Sequence, residues 1–294
     1  MRKQPLFYGA CTALVTPFLN NEINDSMLEQ LLKRQMDSGI QSIVICGTTG
    51  ESPTLSDQEK ITLFSRAKEI VQDHCLILAG TGSNCTEHAV GLSIAAEQAG
   101  ADGLLVVSPY YNKATPDGLV THYSAVAGAI HIPVILYNVP SRTGVDISVD
   151  TCKSLAEIPN LVGIKEACGD ISKVSRILSN TELAVWSGND DQTVPVMALG
   201  GSGVISVASN VIPRQMHDMT QAALAGDYTT AAALQRRYQK LMDLLFCQVN
   251  PIPAKAAVAA MGICRDILRL PLTPMEEPQR SKLYEEMRKL GIEV

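Results

Sequence analysis

The chain has 294 residues, 46% hydrophobic and 18% charged, with a formal net charge of −6. That length fits two small domains or one barrel-sized domain, with apolar material enough for a large core. No uninterrupted apolar run reaches the roughly 18 residues that span a bilayer. The basic pairs Arg2-Lys3, Lys33-Arg34 and Arg236-Arg237 are isolated, which argues against a nucleic-acid partner.

From the N-terminus, short Val-, Ile- and Leu-rich runs predict strands at 10–15, 42–45, 76–79, 103–107, 134–137, 161–165, 184–187 and 203–206. Between them, amphipathic segments such as 26–38, 56–73, 86–99, 116–130 and 148–158 predict helices. Helix starts are marked by Asp25-Ser26, by a capping box from Ser56 to Glu59 and by Thr115-Pro116, while Gly39 and Gly100 stand where helices stop. Alternating strands and helices demand parallel pairing, and unbroken apolar strands mean burial on both faces. Eight βα units ending near residue 225 fit a closed (β/α)8 TIM barrel better than an open doubly wound sheet. Residues 227–294 lack strand signals and read as wholly helical, cut into three pieces by Pro251, Pro253, Pro271 and Pro274. The expected organisation is a catalytic barrel at 1–225 and a C-terminal helical subdomain at 226–294.

Cys11, Cys46, Cys75, Cys85, Cys152, Cys168, Cys247 and Cys264 form no CxxC pair and lie mostly in apolar segments. They read as reduced, buried thiols. The opening residues, interrupted by Pro5, Thr12 and Thr16, read as the first strand of a cytoplasmic protein rather than as a leader.

A barrel carries its active site at the C-terminal ends of its strands. Those ends hold Gly47-Thr48-Thr49-Gly50-Glu51-Ser52, Gly80-Thr81-Gly82-Ser83-Asn84, Ser108-Pro109-Tyr110-Tyr111-Asn112, Tyr137-Asn138-Val139-Pro140-Ser141-Arg142-Thr143-Gly144, Lys165-Glu166, Ser187-Gly188-Asn189-Asp190 and Ser206. In the sixth strand a period of two puts Leu161, Gly163 and Lys165 on one face and Glu166 on the other. Lys165 then points into the barrel mouth, above a glycine that leaves room for a substrate carbon. A desolvated amine is a nucleophile toward carbonyl carbon and forms Schiff bases; a strand-terminal lysine also reads as a snorkelling side chain or an ion-pair partner. Tyr137 lies one βα unit earlier, so the two residues should end adjacent strands, where a phenol can pass protons to and from a carbinolamine. Tyrosines also cap cores with the hydroxyl in water. Thr48 and Thr49, flanked by Gly47 and Gly50, form a plain turn or a place where a substrate or second hydroxyl nears the backbone. Arg142, on a loop bounded by Pro140 and Gly144, offers a planar fork for a carboxylate or binds loop carbonyls.

Other chemistries find no motif. Gly80-Thr81-Gly82 lacks the third glycine of a dinucleotide fingerprint, and there is no GxxxxGK[ST] and no GxSxG. His74, His88, His122, His131 and His217 show no metal-ligand spacing.

At Gly47–Ser52, Ser108–Lys113, Tyr137–Gly144 and Gly163–Glu166 the chain resembles the pyruvate-dependent class I aldolase superfamily, and within it the dihydrodipicolinate synthase family. The resemblance spans nearly the whole length. It implies a Schiff-base lyase that condenses pyruvate with L-aspartate 4-semialdehyde to 4-hydroxy-tetrahydrodipicolinate, the first committed step of diaminopimelate and lysine biosynthesis. It implies that Lys165 forms the imine and that Tyr137, Thr48 and Tyr111 form a hydroxyl relay, with Tyr111 reaching in from a neighbouring subunit. Thr49, the Gly188 backbone and Ile205 would line the pyruvate pocket, and Arg142 would hold the aldehyde's carboxylate. No metal or organic cofactor is implied, and a homotetramer built as a dimer of dimers is. A sister aldolase, such as N-acetylneuraminate lyase or a 2-keto-3-deoxy sugar acid aldolase, would share Lys165, Tyr137 and the Gly-Thr-Thr-Gly-Glu loop. Ser141-Arg142-Thr143-Gly144 and Tyr110-Tyr111 favour a small carboxylated aldehyde instead. A barrel that only binds would be expected to lack Lys165 or Tyr137. A phosphate site at Gly200-Gly201-Ser202-Gly203 would sit at the wrong rim, before the eighth strand. Lysine-inhibited members of the family carry an interface pocket; here Ser52, Asn84 and Tyr110 match it. His88 replaces its acid and Lys60 stands where those members have a histidine, which leads us to expect weak or absent inhibition by L-lysine. Glu87, one helical position away, is expected to turn from that pocket.

Overall fold

All eight apolar runs form parallel strands: β1 Gly9–Ala13, β2 Ser42–Ile45, β3 Leu76–Gly80, β4 Gly103–Val107, β5 Val134–Asn138, β6 Leu161–Glu166, β7 Ala184–Ser187 and β8 Gly203–Ser206. The computed structural model describes residues 3–294; Arg2, half of the Arg2-Lys3 pair, and Met1 lie outside the described residues. Each strand pairs with its sequence neighbours, and β8 closes on β1 from Gly9↔Gly203 to Thr12↔Ser206. The fold is a TIM barrel with a C-terminal helical region. Alternation divides each strand between two cores. Cys11, Val44, Leu78, Ile135, Trp186 and Ile205 fill the barrel, while Ile43, Ile77, Leu104, Leu136, Val185 and Val204 pack against the helices. Phe7, just before β1, stacks on Trp186 with ring centroids 4.9 Å apart and closes the N-terminal end.

The surrounding helices are α1 Asp25–Asp37, α2 Asp57–Val71, α3 Thr86–Gln98, α4 Pro116–Gly128, α5 Val149–Ala156, α6 Ile171–Asn180, α7 Thr193–Ala198 and α8 Pro213–Leu224. The capping box at Ser56 and Glu59 and the Thr115 cap form as expected. The cap of α1 is Asn24 rather than Asp25 or Ser26, because the Asn24 side chain accepts the Met27 N–H at 3.0 Å. Gly39 and Gly100 follow α1 and α3 at φ 79° and 88°, in the left-handed region that ends a helix.

Two expectations for β6 are corrected. Its register with β5 runs from Val134↔Leu161 directly to Ile135↔Gly163, so Val162 is an extra residue in a bulge. Leu161 therefore turns to the outer core, and the expected inward set of Leu161, Gly163 and Lys165 loses its first member. Nor does Gly163 make room for substrate: a Cβ there would lie 2.5 Å from the Trp186 ring and from the Ala184 carbonyl. The missing side chain admits Trp186.

The tail forms α9 Tyr228–Leu244, α10 Ile252–Ala260 and α11 Gln279–Lys289. It is not wholly helical, since 261–278 carries no helix. Gly262 at φ 73° stops α10, and Pro271, Pro274 and Pro278 keep the chain from resuming a helix before α11. Pro253 does not divide the tail; it sits in the first turn of α10, where its missing N–H is harmless. The tail is fastened to the barrel by a fully buried ion pair between Lys255 and Glu51, and the second Glu51 oxygen accepts the Arg269 N–H at 3.0 Å. Lys255 and Arg269 each lie over the Phe18 ring, 4.3 and 4.5 Å from its centre. Arg269 also binds Glu59 at 3.0 Å and holds its carboxyl down at about 2.

Candidate active site

Tyr137 and Lys165 are directly paired across β5 and β6, at the C-terminal end of the barrel. Lys165 is 4% exposed, and its Nζ lies 4.3 Å from the centre of the Tyr137 ring. Its neighbour Glu166 faces outward as expected: it accepts from Asn138 and the Cys168 N–H, both at 2.8 Å, and pairs with Lys173 at 3.2 Å. That carboxylate is satisfied outside the barrel. Gly188 follows β7 with its N–H on the Glu166 carbonyl at 2.7 Å. A Cβ at Gly188 would stand 2.6 Å from the Ala167 Cβ and 3.1 Å from both the Glu166 carbonyl oxygen and the Lys165 Cε, so a side chain there would crowd Ala167 and press on the lysine stem. Cys11 shares the barrel interior, but burial pushes its thiol up to about 12, which keeps it protonated.

A cavity of about 240 Å³ opens at the same end, with Thr48, Tyr137, Val139 and Arg142 among its walls. The loop after β2 is held as a turn, Gly50 N–H to the Gly47 carbonyl at 3.0 Å and Glu51 N–H to the Thr48 carbonyl at 3.1 Å. A second hydroxyl does approach it, that of Thr16, which donates to the Gly50 carbonyl at 2.7 Å. Thr49 is buried and accepts from the Asn250 side chain at 3.0 Å. Ile205 is fully buried on β8 in the inner core. Arg142 is exposed and stands on a one-turn helix, Pro140–Thr143, rather than on an irregular loop. Gly144 ends that turn at φ 71°, and one Arg142 N–H reaches the Asn250 carbonyl at 3.3 Å. Tyr111 is apart from the group, 88% exposed at φ 72°. Gly200 and Ser202 lie at the opposite rim with Tyr8 and Pro5.

Three side chains that the strand-end reading did not assign also bear on the site. Asp190 is buried after β7 and accepts the Val207 and Ala208 N–H groups at 3.1 and 2.9 Å. Burial holds its carboxyl above the usual carboxylate range. Asn250 comes from the tail. The third is Asp57, which stands behind the cavity wall where Ser52, Lys60, Ser83, His88 and Tyr110 line it and pairs with two of those residues. Lys60 and His88 were expected there without a carboxylate. In the fold the first residue of α2 supplies one: Asp57 is 3.6 Å from Lys60 and 2.9 Å from His88. The i,i+3 spacing on α2 brings Asp57 over Lys60. Glu87 is exposed.

The chain matches the dihydrodipicolinate synthetase family over residues 6–290. It is 47% identical to the 4-hydroxy-tetrahydrodipicolinate synthase of Alkaliphilus oremlandii, over 98% of this chain and 100% of that protein. Among solved structures it resembles the dihydrodipicolinate synthase of Aquifex aeolicus with a TM-score of 0.97 at 43% identity, covering 98% and 99% of the two chains. It also resembles the chloride-inhibited dihydrodipicolinate synthase of Acinetobacter baumannii complexed with pyruvate, with a TM-score of 0.95 at 42% identity and coverage of 97% and 99%.

Crowding at Gly188 yields a direct test. Gly188→Ala is expected to retain the wild-type circular dichroism while imine formation at Lys165 with pyruvate slows at least tenfold. An unchanged rate would show that the lysine stem has space to spare.

Proposed function

The chain belongs to the dihydrodipicolinate synthetase family, and from that premise we propose how its own residues carry the reaction. The protein is a lyase that condenses pyruvate with L-aspartate 4-semialdehyde to 4-hydroxy-tetrahydrodipicolinate, in diaminopimelate and lysine biosynthesis. The observation that carries our assignment is the buried Lys165 amine over the face of Tyr137, at paired positions on the catalytic rim.

The uncharged Lys165 amine attacks the keto carbon of pyruvate, the carbinolamine loses water, and an iminium remains. Its cationic nitrogen accepts electron density when a methyl proton leaves, and the resulting enamine attacks the aldehyde carbon to form the new carbon–carbon bond; the amino group of the aldehyde substrate then adds to the re-formed iminium carbon, closing the ring and expelling the Lys165 amine. Protons enter and leave through Tyr137, Thr48 and Tyr111, hydroxyls that both donate and accept. Thr49, the Gly188 backbone and Ile205 bound the space for pyruvate. Arg142 binds the aldehyde's carboxylate: it sits on the cavity wall with one N–H on the Asn250 carbonyl, and its remaining donors suit a planar carboxylate.

We read the protein as cytoplasmic, with a catalytic barrel at 1–225 and a helical subdomain at 226–294; among the described residues no helix is long and apolar enough to cross a membrane. We also read it as a homotetramer, a dimer of dimers, which gives the 88% exposed Tyr111 a neighbouring site to enter. The Lys60 end of the cavity is a poor receptor for a cationic amino acid, because its carboxylate, Asp57, is shared by Lys60 and His88. Weak or absent inhibition by L-lysine is the consequence of that shared acid.

Arg142→Ala is expected to lower kcat/KM for L-aspartate 4-semialdehyde at least thirtyfold, equivalent to about 2 kcal/mol, while pyruvate imine formation stays within threefold. Equal losses in both steps would make Arg142 structural. Mixing Tyr111→Phe subunits with Lys165→Ala subunits is expected to restore part of the activity, since some hybrid sites receive both intact groups. Hybrids that assemble and stay inactive would assign Tyr111 to its own subunit's site.

A further inference from the structure

The Thr48-Thr49 loop follows β2 and Arg142 follows β5, so two strands separate the groups we assign to pyruvate and to the aldehyde. Both meet one residue that belongs to neither strand. Asn250 lies in the connection between α9 and α10 and is 5% exposed. Its Nδ2 donates to the Thr49 hydroxyl oxygen at 3.0 Å, and its main-chain carbonyl accepts from Arg142 at 3.3 Å. Its Oδ1 is buried and has no hydrogen-bond partner.

We propose that Asn250 is a positioning residue whose side chain sets the hydrogen-bond direction of Thr49 and so tunes the binding of pyruvate, while its main-chain carbonyl orients Arg142. This rests on the roles assigned above to Thr49 and Arg142. A hydroxyl whose oxygen already accepts from an amide has its own proton left to donate, and a donor is what the carboxylate of pyruvate requires from Thr49. An arginine with one N–H fixed on a carbonyl presents the rest of its fork in a limited range of directions. The same residue fixes both, and the tail that carries it is anchored close by through Lys255 and Glu51. The buried, unpartnered Oδ1 is a polar group that folding alone does not explain.

The test is steady-state kinetics of Asn250→Ala with both substrates varied. A positioning role predicts that KM for pyruvate rises about tenfold, while KM for L-aspartate 4-semialdehyde and kcat at saturation stay within threefold, because alanine keeps the main-chain carbonyl that meets Arg142. In a Thr49→Val background, Asn250→Ala is expected to add less than twofold to the pyruvate KM, because the shared hydrogen bond is already gone. A lowered melting temperature with the pyruvate KM unchanged would make the Asn250 side chain a purely structural tail group and overturn the proposal. A fall in kcat alone, or full additivity with Thr49→Val, would overturn it equally. Should Asn250→Ala not fold, Asn250→Asp keeps the volume, removes the same donor and is judged by the same criteria. Imine trapping in the wild type is the separate control: its failure removes the Schiff-base reading itself, whereas a flat result for the Asn250 variants removes only this proposal.

Discussion

The register that sets Tyr137 opposite Lys165 is the constraint on which the rest of the site depends. Side chains on a strand alternate between faces, so a slip of one residue would turn Lys165 toward the helices and bring Glu166 inside. The bulge at Val162 lets one short strand serve both cores: Leu161 fills the outer layer while Lys165 still points inward. Two glycines then clear the interior around it. Gly163 gives its space to Trp186, and Gly188 leaves room for Ala167 and the lysine stem. The nucleophile is thus confined between a phenol ring and backbone, with Cys11, the thiol in the same interior, held protonated by burial.

The barrel alone does not complete the site. The loop carrying Thr48 and Thr49 ends in Glu51, which adopts a left-handed φ of 57° and is buried against Lys255 and Arg269 from the tail. Removing one partner of a buried ion pair leaves an uncompensated charge and costs about 3–5 kcal/mol. The position of the hydroxyl loop is therefore tied to the docking of a segment two hundred residues away in sequence. Asn250, on that same segment, reaches Thr49 and Arg142.

Much of this was legible in the sequence. The strands are unbroken apolar runs bounded by glycine and polar residues, and all eight form within a residue or two of where those runs begin and end. The pairing of Tyr137 with Lys165 is implied by their spacing of one βα unit. Features that escaped the sequence depend on contacts distant in the chain or on local backbone shape. Val-Gly-Ile-Lys reads as regular alternation, so the bulge at Val162 leaves no trace. Gly163 looks like space for a ligand until Trp186, from the next strand, fills it. Asp57 is an ordinary first-turn acid until α3 brings His88 beside it, and Asn250 looks like a loop asparagine before a proline. The 261–278 stretch keeps helical composition, but Gly262 and three prolines break it.

The most direct test of the account is reduction with borohydride in the presence of pyruvate, followed by peptide mass spectrometry. A single reduced three-carbon adduct on Lys165, with loss of activity in proportion to its formation, is the predicted result. An adduct on another lysine, or active protein with no adduct at all, would contradict it.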